Sequence, residues 1–244
     1  MSTEQQMNDP RSIGYGMQLQ AWVSLVANEY DAALDFAEKG ISIARTPYDR
    51  EVGKNAKFAA LVLLRRPGAY LTLRDFTDQC EASGWHYMLT GTDGVRGVAL
   101  VLDGQVSAGI RWTEQAILRR DNERYRRAAD WYRLFLCEIY LEIISGTKKP
   151  PANVILRNML TLITIMFAAQ KRIVELVEQV RRNPEFDPNG QNIGWCEMIL
   201  GLLYKAKQKR TLAVQHLTEA KRIVAQFGPS LMLSRIDAAL AEIV

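Results

Sequence analysis

The chain has 244 residues, 48% of them hydrophobic and 24% charged, which suits one large globular domain or two small ones and excludes a disordered or fibrous class. With 31 Lys and Arg against 27 Asp and Glu, the net charge is +4, a milder basic bias than a dedicated nucleic-acid binder shows, so nucleic acid is disfavoured as a partner. Cys80, Cys137 and Cys196 are far apart, odd in number and form no CxxC pair, which reads as buried thiols in a reducing, cytoplasmic setting. The opening MSTEQQMNDP lacks the basic start and apolar core of a secretory signal. The strongest apolar run, near Met159–Ala169, falls short of the about 20 apolar residues of a bilayer span, so no membrane association is expected.

Residues 1–9 read as a frayed polar tail, and Asp9-Pro10 as a helix start, with Asp as N-cap and Pro in the first turn. That helix runs to about Ala27, turns at Asn28-Glu29 and returns from Tyr30 to about Ala44. Thr46-Pro47 opens a third helix to about Arg66, and Arg66-Pro67-Gly68 turns into a fourth, to about Ala82, ended by Ser83-Gly84. Thr92 or Asp93 caps a helix to Leu102, Asp103-Gly104 turns, and Gln105 to about Leu118 returns. A long helix spans Glu123 to Ile144, with Tyr125, Tyr132, Phe135, Ile139 and Tyr140 on its apolar face. Ser145 to Pro151 stops it. Two helices follow, Val154 to about Phe167 and a further one to Arg182, then a loop over Asn183–Gly190. Helices near 191–206 and 209–227 form the next pair, Gly228-Pro229 ends it, and a helix at about 230–243 caps the chain.

Three of these helix–turn–helix segments share one spacing. From Gly201, the residues at +3, +12, +16 and +19 are Tyr204, Ala213, Leu217 and Ala220. From Ala21 they are Ser24, Ala33, Ala37 and Gly40, and from Gly97 they are Leu100, Gly109, Thr113 and Ala116. Small residues at these positions let two helices approach closely, the pattern of a tetratricopeptide repeat. The expected fold is all-α: about twelve antiparallel helices stacked as an α-α superhelix, a single solenoid domain over 10–244 with a C-terminal capping helix.

The chain also resembles the tetratricopeptide-type C-terminal region of bacterial class III adenylate/guanylate cyclases that carry an AAA-type ATPase domain. The resemblance runs from about Asp9 to the end. It rests on Ala44-Arg45-Thr46-Pro47-Tyr48-Asp49-Arg50-Glu51, Gly91-Thr92-Asp93-Gly94, Ala128-Ala129-Asp130-Trp131-Tyr132-Arg133, Glu138-Ile139-Tyr140-Leu141-Glu142-Ile143 and Gly201-Leu202-Leu203-Tyr204-Lys205-Ala206-Lys207. It implies a bacterial regulatory tail in signal transduction, whose partner is a protein or another domain of the same polypeptide. The catalytic parts of that family are missing. A phosphate-binding loop needs GxxxxGK[ST], and the nearest stretch, Val52-Gly53-Lys54-Asn55, has Tyr48 in place of the first Gly and Asn55 in place of Ser/Thr.

No acid/base pair, nucleophile constellation or metal-ligand spacing stands out, so no catalytic residue, cofactor or metal is assigned; His86 and His216 lie in different repeats. In such repeats the first helix of each pair lines the concave face. The candidate groove residues are therefore Tyr15, Gln18, Trp22 and Leu25 in the first repeat, Val98 and Val101 in the middle one, and Trp195, Met198 and Lys205 in the last. The competing expectation is that neighbouring helices cover them. A small-molecule sensor with its ligand at the Gly91–Gly97 turn is the alternative function, and a homo-oligomer stays open. Basic runs at Arg119-Arg120, Arg124 to Arg127, Lys171-Arg172, Arg181-Arg182 and Lys205 to Arg210 read as solvated faces, interleaved with acids.

Overall fold

The structure, a computed structural model, describes residues 9–146 and 151–243. Among these the chain forms eleven α-helices and no strand. They are α1 (Pro10–Val26), α2 (Tyr30–Ile43), α3 (Pro47–Leu63), α4 (Ala69–Ala82), α5 (His86–Leu102), α6 (Val106–Asn122), α7 (Arg126–Ser145), α8 (Ala152–Arg181), α9 (Gln191–Ala206), α10 (Arg210–Val224) and α11 (Leu231–Ala241), with a 3-10 turn at Ala225–Phe227. The frayed tail expected at residues 1–9 lies almost wholly outside the described residues, as does most of the Ser145–Pro151 stop.

Local chemistry sets the helix ends. The Asp9 carboxylate accepts from the Ser12 amide at 3.1 Å, with Pro10 in the first turn of α1. The Thr46 hydroxyl accepts from the Asp49 amide at 3.1 Å, with Pro47 in the first turn of α3. Each cap satisfies an amide that the helix leaves without an internal partner. The connections repeat one geometry. Residues 27–29, 83–85, 103–105, 123–125 and 207–209 are three-residue links whose middle residue, Asn28, Gly84, Gly104, Arg124 or Gln208, is left-handed. The residue after each closes back on the helix, as in Glu29 N–H to Ser24 O at 2.8 Å, Tyr125 N–H to Arg120 O at 2.8 Å and Lys209 N–H to Tyr204 O at 2.9 Å. Such links satisfy the last helix carbonyls and send the chain back antiparallel.

Three expected elements differ. The helices expected at Val154–Phe167 and on to Arg182 are one 30-residue helix, α8. Ala168-Ala169-Gln170-Lys171 contains no breaker and consists of strong helix formers, so nothing interrupts the backbone. As one helix, α8 is long and apolar enough by composition to cross a membrane, with an 18-residue window of mean hydropathy 1.6, which the shorter apolar run does not suggest. α5 begins at His86, so Thr92 and Asp93 lie inside it and are buried rather than capping it. The Thr92 hydroxyl donates to Met88 O at 3.3 Å, one turn back. α7 begins at Arg126, and Tyr125, expected to point inward, is 59% exposed.

The chain divides into two compact units, one up to Ala99 and one from Leu100, where the repeat pattern suggests one continuous domain. In the first unit α1 packs on α2 and α3, α2 on α3, and α3 on α4. Ala21, Leu25, Ala33, Ala37 and Ala59 are fully buried there, and Val52, Phe76, Cys80, Met88 and Leu89 form a second cluster. Gly53, of the would-be phosphate loop, sits inside α3, where a Cβ would come within 2.6 Å of Ile41 Cγ1. In the second unit α7 packs on α6, α8 and α9, while α9 packs on α10 and both pack on α11. α9 and α10 approach closely. A Cβ on Gly201 would lie 2.6 Å from Leu217 Cγ. Leu217, Ala213 and Ala220 are fully buried, and burying a leucine is worth about 1.5–3 kcal/mol.

Candidate functional site

Of the nine expected groove residues, Leu25, Trp195 and Met198 are buried, Tyr15 is 40% exposed and the other five are half-buried. In the first repeat, the Tyr15 hydroxyl donates to Asp49 Oδ1 at 3.2 Å and the Gln18 amide donates to Val52 O at 2.6 Å, so both join α1 to α3. The space they line between Pro10 and Gly53 is about 10 Å³, room for at most a single water. Leu25 is fully buried, and the Trp22 ring lies where a side chain on Gly91 would go. That contact covers Gly91, and the Gly91–Gly97 stretch is helix interior and not the helix start that an anion site there requires. Val98 and Val101 are half-buried on α5. In the last repeat, Trp195 and Met198 are core residues, and the Trp195 indole donates to Glu138 Oε1 at 2.9 Å. Lys205 is ion-paired with Glu242. As placed, Leu25, Trp195 and Met198 present no surface to a ligand, because neighbouring helices occupy it.

A different constellation converges in the second unit. The last turn of α6, the first two turns of α7 and the end of α8 surround a cleft of about 270 Å³ lined by Asp121, Arg126, Asp130, Arg133, Gln179, Arg182 and Asn183. Arg126, Asp130 and Arg133 share one face of α7 because residues four and three apart stack on a helix. The floor is a closed polar network. Asp130, 3% exposed, accepts from Arg133 Nη1 at 2.7 Å and from Asn183 Nδ2 at 2.6 Å. Arg133 also donates through Nε to Gln179 Oε1 at 2.8 Å and through Nη2 to Asp121. Asn183 Oδ1 accepts from the Glu185 amide at 3.0 Å, which fixes the side chain. Burial pushes the Asp130 carboxyl above its ordinary value, against the pull of Asn183 and Arg133.

Above this floor the charge is uncompensated. Arg126 and Arg182 line the cleft, both exposed, and neither has an ion-pair or hydrogen-bond partner for its guanidinium among the described residues. Tyr125, the residue before α7, supplies no side-chain cap, so the first amides of that helix add to the positive character of this end. Two forked cations over a fixed polar base suit a carboxylate or phosphate group. Neither a His nor a Cys lines the cleft, and among the described residues no three His, Cys, Asp or Glu side chains form a metal cluster. His216 instead stacks on Tyr204, with Nδ1 2.7 Å from the buried Glu197, which also pairs with Arg181.

None of the cleft residues stood out as a site in the sequence. Arg126 and Arg182 sit in two of the five basic runs read as solvated faces, and flanking a helix end does not set these two apart, because the runs at Arg119-Arg120 and Lys205 to Arg210 do so as well. No protein-family model, no curated protein and no solved structure matches this chain.

Proposed function

We propose that this chain is a non-enzymatic helical-repeat module of the tetratricopeptide type. In this reading the Arg126–Arg182 cleft receives an acidic group of a protein partner, or of another domain of the same polypeptide. The observation that carries the reading is the pairing of two unpartnered exposed guanidiniums with a preformed, internally satisfied floor of Asp121, Asp130, Arg133, Gln179 and Asn183. Such a floor binds without rearranging, so ordering it costs the complex little. Support for the repeat architecture comes from the five alike turns and from the buried small residues at Ala21, Ala33, Ala37, Gly201, Ala213 and Ala220. The resemblance to cyclase tails makes a nucleotide cyclase or signalling ATPase the domain such a module would regulate.

A small-molecule sensor is the second reading. The cleft is smaller and more polar than the mostly apolar pockets of about 300–1,000 Å³ that enclose organic ligands, which favours a protruding acidic side chain over an enclosed metabolite. The test is calorimetric titration of the full chain with a glutamate-rich peptide, ATP, cyclic AMP and inorganic phosphate, repeated on Arg126→Glu/Arg182→Glu. The module reading expects peptide binding that weakens roughly 100-fold in the variant, as for loss of a charge-assisted contact pair. Tight nucleotide binding with no peptide binding supports the sensor instead. Peptide binding of equal strength in the variant overturns the cleft assignment.

A further inference from the structure

The N-terminal half of α8 has three faces. Val154, Asn158, Ile165 and Ala169 follow one line toward the unit's interior, with Asn158, Ile165 and Ala169 buried. The Asn158 amide donates to Gly104 O at 2.9 Å and its oxygen accepts from the Ser107 amide at 3.3 Å, tying the helix to the start of α6. Asn153, Arg157 and Thr164 lie on a narrow polar line. The remaining face carries Ile155 (41% exposed), Leu156 (72%), Met159 (49%), Leu160 (78%), Ile163 (49%), Met166 (51%) and Phe167 (87%). At 100° per residue these seven fall in an arc of about 140°, along about 18 Å of helix. Isolated exposed apolar residues are ordinary, but a contiguous stripe of this size marks an interaction surface.

We infer that this stripe is a two-fold interface, on which α8 of one copy of the chain packs antiparallel against α8 of a second copy. The spacing supports this occupant. Leu156, Leu160, Ile163 and Phe167, which include the three most exposed residues of the stripe and lie together on one side of it, follow steps of 4, 3 and 4, the seam of a helix pair. That step pattern reads the same in both directions. A two-fold axis midway between residues 161 and 162 therefore sets Leu156 against Phe167 and Leu160 against Ile163 of the partner copy, without a mismatch. The area supports it too. The stripe exposes on the order of 900 Å² per chain, so covering two thirds of it on each of two copies buries about 1,200 Å² in all, the lower end of a stable specific interface.

A lipid surface fits less well. A helix lying in a membrane interface carries Lys and Arg along its polar face, and here Arg157 is the one charged side chain between Ala152 and Gln170. A helix spanning the bilayer would have to leave the fold, whereas Asn158 and the buried Ile173, Leu176, Val177 and Val180 hold α8 in the second unit.

Sedimentation velocity on the full chain at tens of micromolar should give twice 27.7 kDa. Leu160→Glu and Phe167→Glu, at positions already exposed, should each give a monomer with unchanged circular dichroism, their self-association weakened by roughly 100-fold or more. Under mild oxidation, Leu156→Cys/Phe167→Cys should form cross-linked dimers, and Asn153→Cys/Thr164→Cys, on the polar line, should not. Arg126→Glu/Arg182→Glu should leave the mass unchanged, which separates this inference from the cleft assignment. A monomeric parent chain, a dimer that survives both glutamate variants, or flotation with phosphatidylcholine–phosphatidylserine vesicles that those variants abolish each overturns it.

Discussion

Replacing Arg133 by Met keeps the aliphatic stem and removes the guanidinium on which the cleft floor depends. Arg133 is 10% exposed at its side chain and holds Asp130, Asp121 and Gln179 at once. The Asp121 pair is the weaker part, since that carboxylate is 36% exposed and solvent screens it. Asp130 is the costly part: its side chain is 4% exposed and would keep only Asn183 as a side-chain donor among the described residues. Removing one member of a buried pair costs about 3–5 kcal/mol, because the surviving charge stays desolvated. For a chain of this length that is a fall of about 10 °C in midpoint temperature. The pH dependence carries the sign. The folded Asp130 carboxyl titrates above its ordinary value, burial being the largest cause, so its contribution to stability is complete below the unfolded value and is lost as pH rises through the folded one. Loss of Arg133 raises the folded value further. The deficit of Arg133→Met relative to the parent chain is therefore greatest near neutrality and shrinks in acid. Urea denaturation followed by tryptophan emission, with Trp131 and Trp195 reporting on the second unit, measures it. Adding Asp130→Asn should recover part of the loss. A deficit below about 1 kcal/mol, or one equal in acid and at neutrality, refutes the reasoning.

Gly201→Ala should cost about 1–3 kcal/mol, since the new Cβ meets Leu217 Cγ at 2.6 Å and the Leu217 backbone nitrogen at 3.1 Å, and backbone cannot give way; an unchanged urea midpoint would count against close α9–α10 packing. Asn158→Ala removes donors to Gly104 O and Val154 O and the acceptor for the Ser107 amide, and a loss of about 1–3 kcal/mol is expected in thermal unfolding. Cys80, Cys137 and Cys196 are buried, and burial pushes the Cys80 thiol up to about 11, the Cys196 thiol up to about 12 and the Cys137 thiol upward as well. The native protein should therefore show no fast reaction with a thiol-disulfide dye at pH 8 and full reaction in guanidinium, and burst labelling of the native state would contradict this burial.

The helical class, the caps at Asp9 and Thr46 and the buried lattice positions follow from the sequence alone. They depend on local chemistry: an oxygen three residues from an amide, a proline in a first turn, small side chains where two neighbouring helices meet. Links such as Gly84 and Gly104 are legible for the same reason, while Arg124 and Gln208 adopt the same left-handed backbone with no glycine to announce it. What lies opposite each side chain is a non-local property, and there the sequence falls short. Trp195 and Met198 read as groove residues, but α9 is enclosed by its neighbours, and Gly91–Gly97 reads as a helix start although the Trp22 ring, far off in sequence, fills the space beside it. Arg126 and Arg182 are 56 positions apart, and only the folding of α7 against α8 brings them over one buried Asp130–Arg133 pair. Periodicity fixes which face of a helix is apolar; only the packed structure decides whether that face is covered, as for most of α9, or left open, as on the first half of α8.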